Sequence, residues 1–235
     1  MSDAPNSYHL IMAVWGKKYI HFFLNYCIES LFTEGNIPSV ASHSALYHLI
    51  TTKDDFSTIK NHPNFRNLKK IIPVKITFVE FLKDDLGNNK YSKMIHCHKI
   101  AIQEACLSKA AIVFLPPDHI FSSDCLSSIR QRFAEGYRSF MLPGLRFSKQ
   151  RFVKISQLLK PGYKSRDLVM SSIQYPHSET IKTQYASTLF TTWPSVIHWK
   201  LKDLGWVLNC MHLHPLAIHP MFWDLSMNFT SIFSI

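Results

Sequence analysis

The sequence predicts an α/β fold: a single domain built on a mixed, mainly parallel sheet flanked by helices. Three observations carry that expectation. The apolar run Ala110 to Leu115 is short, continuous and stopped by Pro116-Pro117, as befits a strand buried on both faces. Between His9 and Phe147, stretches of strand character alternate with stretches of helical periodicity, the pattern of parallel strands joined by crossover helices. The chain has 235 residues, 46% of them hydrophobic and 18% charged, which suits one substantial core and argues against disorder.

Taken in order, His9 to Val14 reads as the first strand, broken by Trp15-Gly16. Tyr19, Phe22, Phe23, Tyr26, Cys27 and Ser30-Leu31 then recur at spacings of three and four, predicting an amphipathic helix that Gly35-Asn36 ends. Tyr47 to Thr51 is the second strand, and Thr52 to Asp55 is the loop before a helix starting near Phe56. The alternation of Ile71 to Phe81 predicts the third strand, followed by the polar turn KDDLGNNK. A helix over Tyr91 to Ser108 leads into the strand at Ala110, and Cys125 to Ala134 is the next helix. RSFMLPGLRF reads as a further strand with a Pro-Gly break. Later, helices are expected over Val153 to Leu159 and Ser165 to Ile173, and a short helix or turn ending at Gly205. WVLNCMHLHPLAIHP, alternating at Cys210, His212 and His214, reads as one strand reaching the edge of a site.

Charge narrows the choice of partners. Lys and Arg number 26 against 16 Asp and Glu, a formal +10, which favours anionic ligands or surfaces. These basic residues are dispersed and match no nucleic-acid motif, so a basic nucleic-acid-binding protein is the weaker alternative. The five Cys are scattered without a CxxC pair, which points to free thiols in a reducing compartment and away from a zinc-thiolate site. The N-terminus MSDAPNSYHL lacks the pattern of a secretory signal, and no stretch reads as a membrane span. The expected location is cytoplasmic, either free or peripheral on the inner face of a membrane.

One constellation stands out. Asp118 follows the central strand, where open α/β sheets bind ligands, although an Asp there is also a good cap for the next turn. His212 and His214 lie two apart on the last predicted strand and so share a face. A carboxylate with an imidazole can hold a divalent ion, Mn²⁺ or Mg²⁺, that leaves positions open for phosphate oxygens. The alternative is a histidine pair hydrogen-bonded in a polar part of the core.

The order of Val14-Trp15-Gly16, the Thr51-to-Asp55 loop, the strand running into Pro117-Asp118, and His212-x-His214-Pro215 resembles glycosyltransferases of the GT-A type. More narrowly, it is similar to a little-characterised bacterial group related to them. The likeness spreads over most of the chain through short motifs. It implies a Rossmann-like domain, with a nucleotide-binding half over about residues 1–147 and an acceptor half over about 148–235. It further implies that Asp118, with His212 or His214, holds the metal of a nucleotide-sugar diphosphate. Trp15 and Gly16 would lie near the nucleotide, Asp54 would meet a base or ribose, and Arg146 would meet phosphate or acceptor. Asp167, His177 and Glu179 are the candidate general bases. The implied partners are a nucleotide-sugar donor and a glycan, lipid-linked or protein acceptor, with no nucleic acid. Two departures are plain: the family has two carboxylates where Pro116-Pro117-Asp118 offers one, with His119 and Ile120 reading as no substitute. The chain also ends in an apolar FTSIFSI where the resemblance implies a polar, acidic continuation. Those departures motivate a second expectation, a catalytically inactive relative acting as a binding or scaffold protein.

Overall fold

The computed structural model describes residues 5–80, 90–142, 145–148, 164–185, 196–202, 204–210 and 214–219. The expected helix at Val153 to Leu159, His212, and the C-terminal FTSIFSI lie outside them. Strand β1 (Ser7–Ala13) sits in the middle of the sheet, and its alternation sorts its side chains to opposite faces. Tyr8, Leu10, Met12 and Val14 join the larger core cluster, whereas Ile11 and Ala13 join the smaller one. β2 (Ser44–Thr51) pairs parallel with one side of β1, and β3 (Val74–Phe78) pairs parallel with β2. β4 (Ala111–Phe114), buried throughout as the sequence predicts, pairs parallel with the other side of β1.

The sheet is completed by β5 (Ser139–Leu142) and β8 (His214–Ile218), in the order β3-β2-β1-β4-β8-β5. β8 runs antiparallel to both neighbours, so the six-stranded sheet is mixed but mostly parallel. β6 (Val196–Leu201) and β7 (Gly205–Cys210) form a separate antiparallel hairpin. The stretch read as one strand over WVLNCMHLHPLAIHP is therefore divided between two sheets, and the helix or turn expected before Gly205 is the turn at Lys202 and Leu204 between β6 and β7. Gly205 sits at φ +155, immediately after the turn of that hairpin.

Helices cover both faces. α6 (Lys90–Leu107) presents Cys97, Ala101, Ile102 and Ala105 to one face, and the small Cys97, Ala101 and Ala105 let it lie close to β1. The other face is covered by the long helical stretch after β1: α1 (Lys17–Phe22), a π-helical segment (Phe23–Cys27) and α2 (Ile28–Ser30). Also on that face are α3 (Ile37–Ala41), α4 (Lys53–Ile59), α5 (Pro63–Ile71) and α7 (Cys125–Ala134). The wide π turn corrects the predicted stripe. It rotates the chain so that Phe23, Leu24, Cys27, Ile28 and Leu31 are buried, while Phe22 and Tyr26 are only half-buried. α5 takes only Ile71 from the expected third strand, which begins at Val74: His62 Nδ1 accepts from Asn64 N, and Pro63 occupies the first helical position. α8 (Ser165–Gln174) falls where the sequence predicts it, and the short α9 (Ser178–Lys182) follows.

Candidate functional site

Chain order and sheet order together define a crevice. From β1 the chain steps outward to β2 and β3, and then returns to place β4 on the opposite side of β1. The carboxyl ends of β1 and β4 therefore lie side by side where the strand order reverses, the position where open α/β sheets take ligands, and the segments leaving both run onto the same face. Trp15-Gly16 leave β1 here, and Pro116 to Asp118 leave β4.

Gly16 takes φ +81 at the entry to α1, a left-handed conformation that favours glycine, and nothing lies within 4 Å of where a Cβ would sit. Its amide donates to Asp55 Oδ2 at 2.9 Å. The Trp15 ring instead packs on the smaller core cluster. Asp54, the acid singled out from the sequence, is exposed in the first turn of α4, and its carbonyl accepts from Ser57 Oγ. The α4 cap is Thr52, whose hydroxyl accepts from Asp55 N at 3.1 Å. Helical phase thus turns Asp55 rather than Asp54 toward Gly16.

Across the crevice, Asp118 is about half exposed, and its Oδ1 lies 3.2 Å from His119 Nδ1. The hydrogen bond from His119 holds the Asp118 carboxyl below its ordinary value, assisted by the nearby charge of Lys18 and opposed by partial burial. Of the two residues after Asp118, His119 brings a ring nitrogen beside the carboxylate. Beneath them, Cys27 Sγ contacts the Pro116 carbonyl at 3.6 Å, and burial pushes its thiol up, so it is no nucleophile. β8 runs against β4, so its first residue, His214, belongs to the end of the sheet where β4 finishes. The side chain of His214, like all of His212, lies outside the described residues.

The candidate bases fall elsewhere and hold structural posts. Asp167 Oδ2 accepts from Lys164 N at 3.1 Å, closing the first turn of α8. His177 caps α9, its Nδ1 accepting from Glu179 N at 3.1 Å, and its own amide donates to the Arg146 carbonyl at 3.2 Å. Glu179 pairs with Lys182 at 2.9 Å, and this hydrogen bond keeps its carboxyl below the ordinary value, which makes it a weaker base. Arg146, His177 and Glu179 are thus brought together, with the exposed Arg146 beside the bridge Phe147–Pro176.

Sequence reasoning missed Lys18 at the crevice and chose neither Asp55 nor His119 from the stretches it singled out. It also missed a polar island under α6: His9, His48 and Glu104 bring ligand atoms within 4.8 Å of one another. A signal for that island was present, since His9 and His48 are the lone polar residues inside two otherwise apolar strand runs, HLIMAV and YHLI.

The architecture and the crevice define this chain as a Rossmann-like α/β protein with a mostly parallel sheet. No protein-family model matches it, and no curated protein is detectably similar to it. Among the described residues no helix is long and apolar enough to cross a membrane.

Proposed function

We propose that the crevice between β1 and β4 binds the diphosphate of a nucleotide sugar and that the chain is a glycosyltransferase of the GT-A type. The observation that carries this reading is the opposition of Gly16, at the start of the helical stretch, to Asp118 at the end of β4 across a topological switch point. Lys17 and Lys18 open that helical stretch and, with the formal +10 of the chain, suit an anionic ligand. Asp118 offers an oxygen to a divalent ion, and His119 Nδ1, 3.2 Å away, offers a nitrogen once its proton is carried on Nε2. Such an ion, when bound, would neutralise charge on the leaving diphosphate. The acceptor would be a glycan, a lipid-linked sugar or a protein at a peripheral membrane position.

A second reading has its own support: the fold binds donor without transferring sugar. Asp167, His177 and Glu179 are engaged in helix ends and an ion pair, which leaves the reaction without a base among the residues named for it. One experiment separates the two. Melting temperature is measured with UDP, GDP, CMP and their sugars, each with and without Mn²⁺, followed by assay for sugar release. At a hundredfold excess over the dissociation constant, a ligand specific to the folded state adds about 2.7 kcal/mol. The expected result is a Mn²⁺-dependent rise with one nucleotide class, lost in Asp118→Ala. Turnover alongside the rise supports the transferase, and a rise without turnover supports the silent relative. No rise with any nucleotide sinks both.

A further inference from the structure

The polar island under α6 lies on the face of the sheet opposite α1 and is built from three adjacent strands. His9 of β1, His48 of β2 and Lys75 and Thr77 of β3 all occupy the positions of their strands that alternate with the larger core cluster. Both imidazoles are buried, His9 at 1% and His48 at 0% exposure. His9 Nε2 lies 3.0 Å from His48 Nδ1, and His48 Nε2 lies 2.7 Å from Thr77 Oγ1. From above, α6 lowers Glu104 onto the pair, with Oε2 3.6 Å from His48 Nδ1. The other carboxylate oxygen, Oε1, takes Lys75 Nζ at 2.5 Å.

We propose that His9, His48 and Glu104 form a site for a transition-metal ion of the Zn²⁺ class, separate from the β1/β4 crevice. Donor chemistry selects the ion, because two imidazoles and one carboxylate suit Zn²⁺, whereas Mg²⁺ prefers oxygen and its own water. Orientation is in place as well. With Nε2–H donated to Thr77 Oγ1, the His48 Nδ1 lone pair faces the space shared by His9 Nε2 and Glu104 Oε2, and such outer hydrogen bonds fix the ring of a metal-bound histidine. Lys75 plays the matching part for Glu104 by engaging one oxygen and leaving the other turned inward. The 3.0 Å separation of the imidazole nitrogens is a hydrogen bond in this structure, slightly shorter than the roughly 3.3 Å edge of a tetrahedral zinc site with ~2.05 Å bonds. Metal binding therefore requires His9 to carry its proton on Nδ1 and the two rings to part by a few tenths of an ångström.

An open coordination position would have somewhere to lead. A cavity of about 290 Å³ adjoins the cluster, lined by His9 and Glu104 together with Ser7, Ser44 and Ser108. It opens at the amino ends of β1 and β2, the end of the sheet opposite the crevice, so a water or small anion could complete the ion without passing Asp118. Three protein ligands with an exchangeable fourth is the arrangement of reactive rather than purely structural zinc sites.

The test is a zinc titration of the full chain, stripped with chelator, against a fluorescent zinc indicator, in parallel with Glu104→Gln and His9→Gln. One Zn²⁺ per chain with a dissociation constant of micromolar or below is expected, weakened at least tenfold in each variant, with no competition from Mg²⁺. Co²⁺ in place of Zn²⁺ should give the visible absorption of a four-coordinate ion in the wild type and not in the variants. Far-UV circular dichroism without metal confirms that each variant is folded, and Glu104, partly exposed on α6, provides the test if the buried His9 variant does not fold. Zinc uptake that is equal in wild type and Glu104→Gln, or absent from the wild type, overturns the proposal and leaves the island as a hydrogen-bonded element of the core.

Discussion

Asn36→Ala is expected to cost the fold about 3–5 kcal/mol, read as a fall in the urea midpoint with an unchanged slope. Asn36 is fully buried between the end of the helical stretch after β1 and the loop leading from β4 to α7. Its Nδ2 lies 2.8 Å from the Ser30 carbonyl, 2.9 Å from Thr33 Oγ1 and 2.7 Å from the Ser122 carbonyl, and its Oδ1 accepts from Leu126 N at 3.1 Å. Alanine would strand the Leu126 amide and leave the Ser30 and Ser122 carbonyls with only the 3.3 Å bonds from Thr33 Oγ1 and Cys125 N, in a site with little water to replace the amide, at ~1–3 kcal/mol for each group left unpaired. Neighbouring bonds reinforce the clamp: Phe121 N donates to Ser30 Oγ, Thr33 Oγ1 to the Ser123 carbonyl, and Ser127 N to the Gly35 carbonyl. Gly35→Ala should be destabilising for a steric reason, since its Cβ would overlap the Ser123 carbonyl oxygen. The clamped loop is the one that carries Asp118 and His119, so the same substitutions should weaken any nucleotide-induced rise in melting temperature. A cost below ~1 kcal/mol for Asn36→Ala would mean that the clamp adds no more than an ordinary surface contact.

Between about pH 6.5 and pH 4 the protein should lose stability because histidines that are neutral in the fold must take up protons. His98, on α6 with its ring 5.0 Å from that of Phe114, is pushed down to about 4 by burial. Its folded value lies below its unfolded one, so the unfolded chain binds the proton more readily. The stabilisation is complete above the unfolded value near 6.5 and disappears as pH falls toward 4. One pKa unit corresponds to ~1.4 kcal/mol, so His98 alone contributes about 2–3 kcal/mol over this window. His48, also pushed down to about 4 by burial and by the adjacent His9, acts with the same sign. Denaturant melts at pH 7 and pH 4.5 should show that His98→Phe loses about 2 kcal/mol less than the wild type. An identical loss in both would exclude His98 as a source of the acid sensitivity.

What could be read from the sequence is what local pattern encodes. β4, α6 and α7 were legible because a continuous apolar run and a helical stripe state their burial directly. β8 was not, because period-two alternation places residues on faces but does not say which sheet a strand joins, and the segment from Trp206 to Pro220 serves two. α5 was hidden by the apolar pair Ile71-Ile72, which reads equally well as the end of a helix or the beginning of a strand. Asp118 at a crevice followed from the strand and its prolines alone. Asp55 required the phase of α4, which the Thr52 cap fixes and the sequence leaves open by one residue. The His9–His48–Glu104 island depends on parallel register across β1 and β2 and on the roll of α6, neither of which spacing along the chain determines.

The reversed strand β8 also sets a timetable for assembly. β1, β2, β3 and β4 belong to the first half of the chain and can pair as they leave the ribosome. β5 must wait, because its strand partner among the described residues is β8, which is synthesised after the whole stretch from 143 to 213. Contacts this distant form late, since loop closure has to precede them. During refolding, pulsed hydrogen exchange should find amides of β1 and β2 protected before those of β5, and simultaneous protection would refute the sequence of events. Until β8 arrives, the free flank of β4 is an open hydrogen-bonding edge lined by Ile112 and Val113, so the interval before the last strand docks is when the nascent protein is most exposed to pairing with another copy of itself.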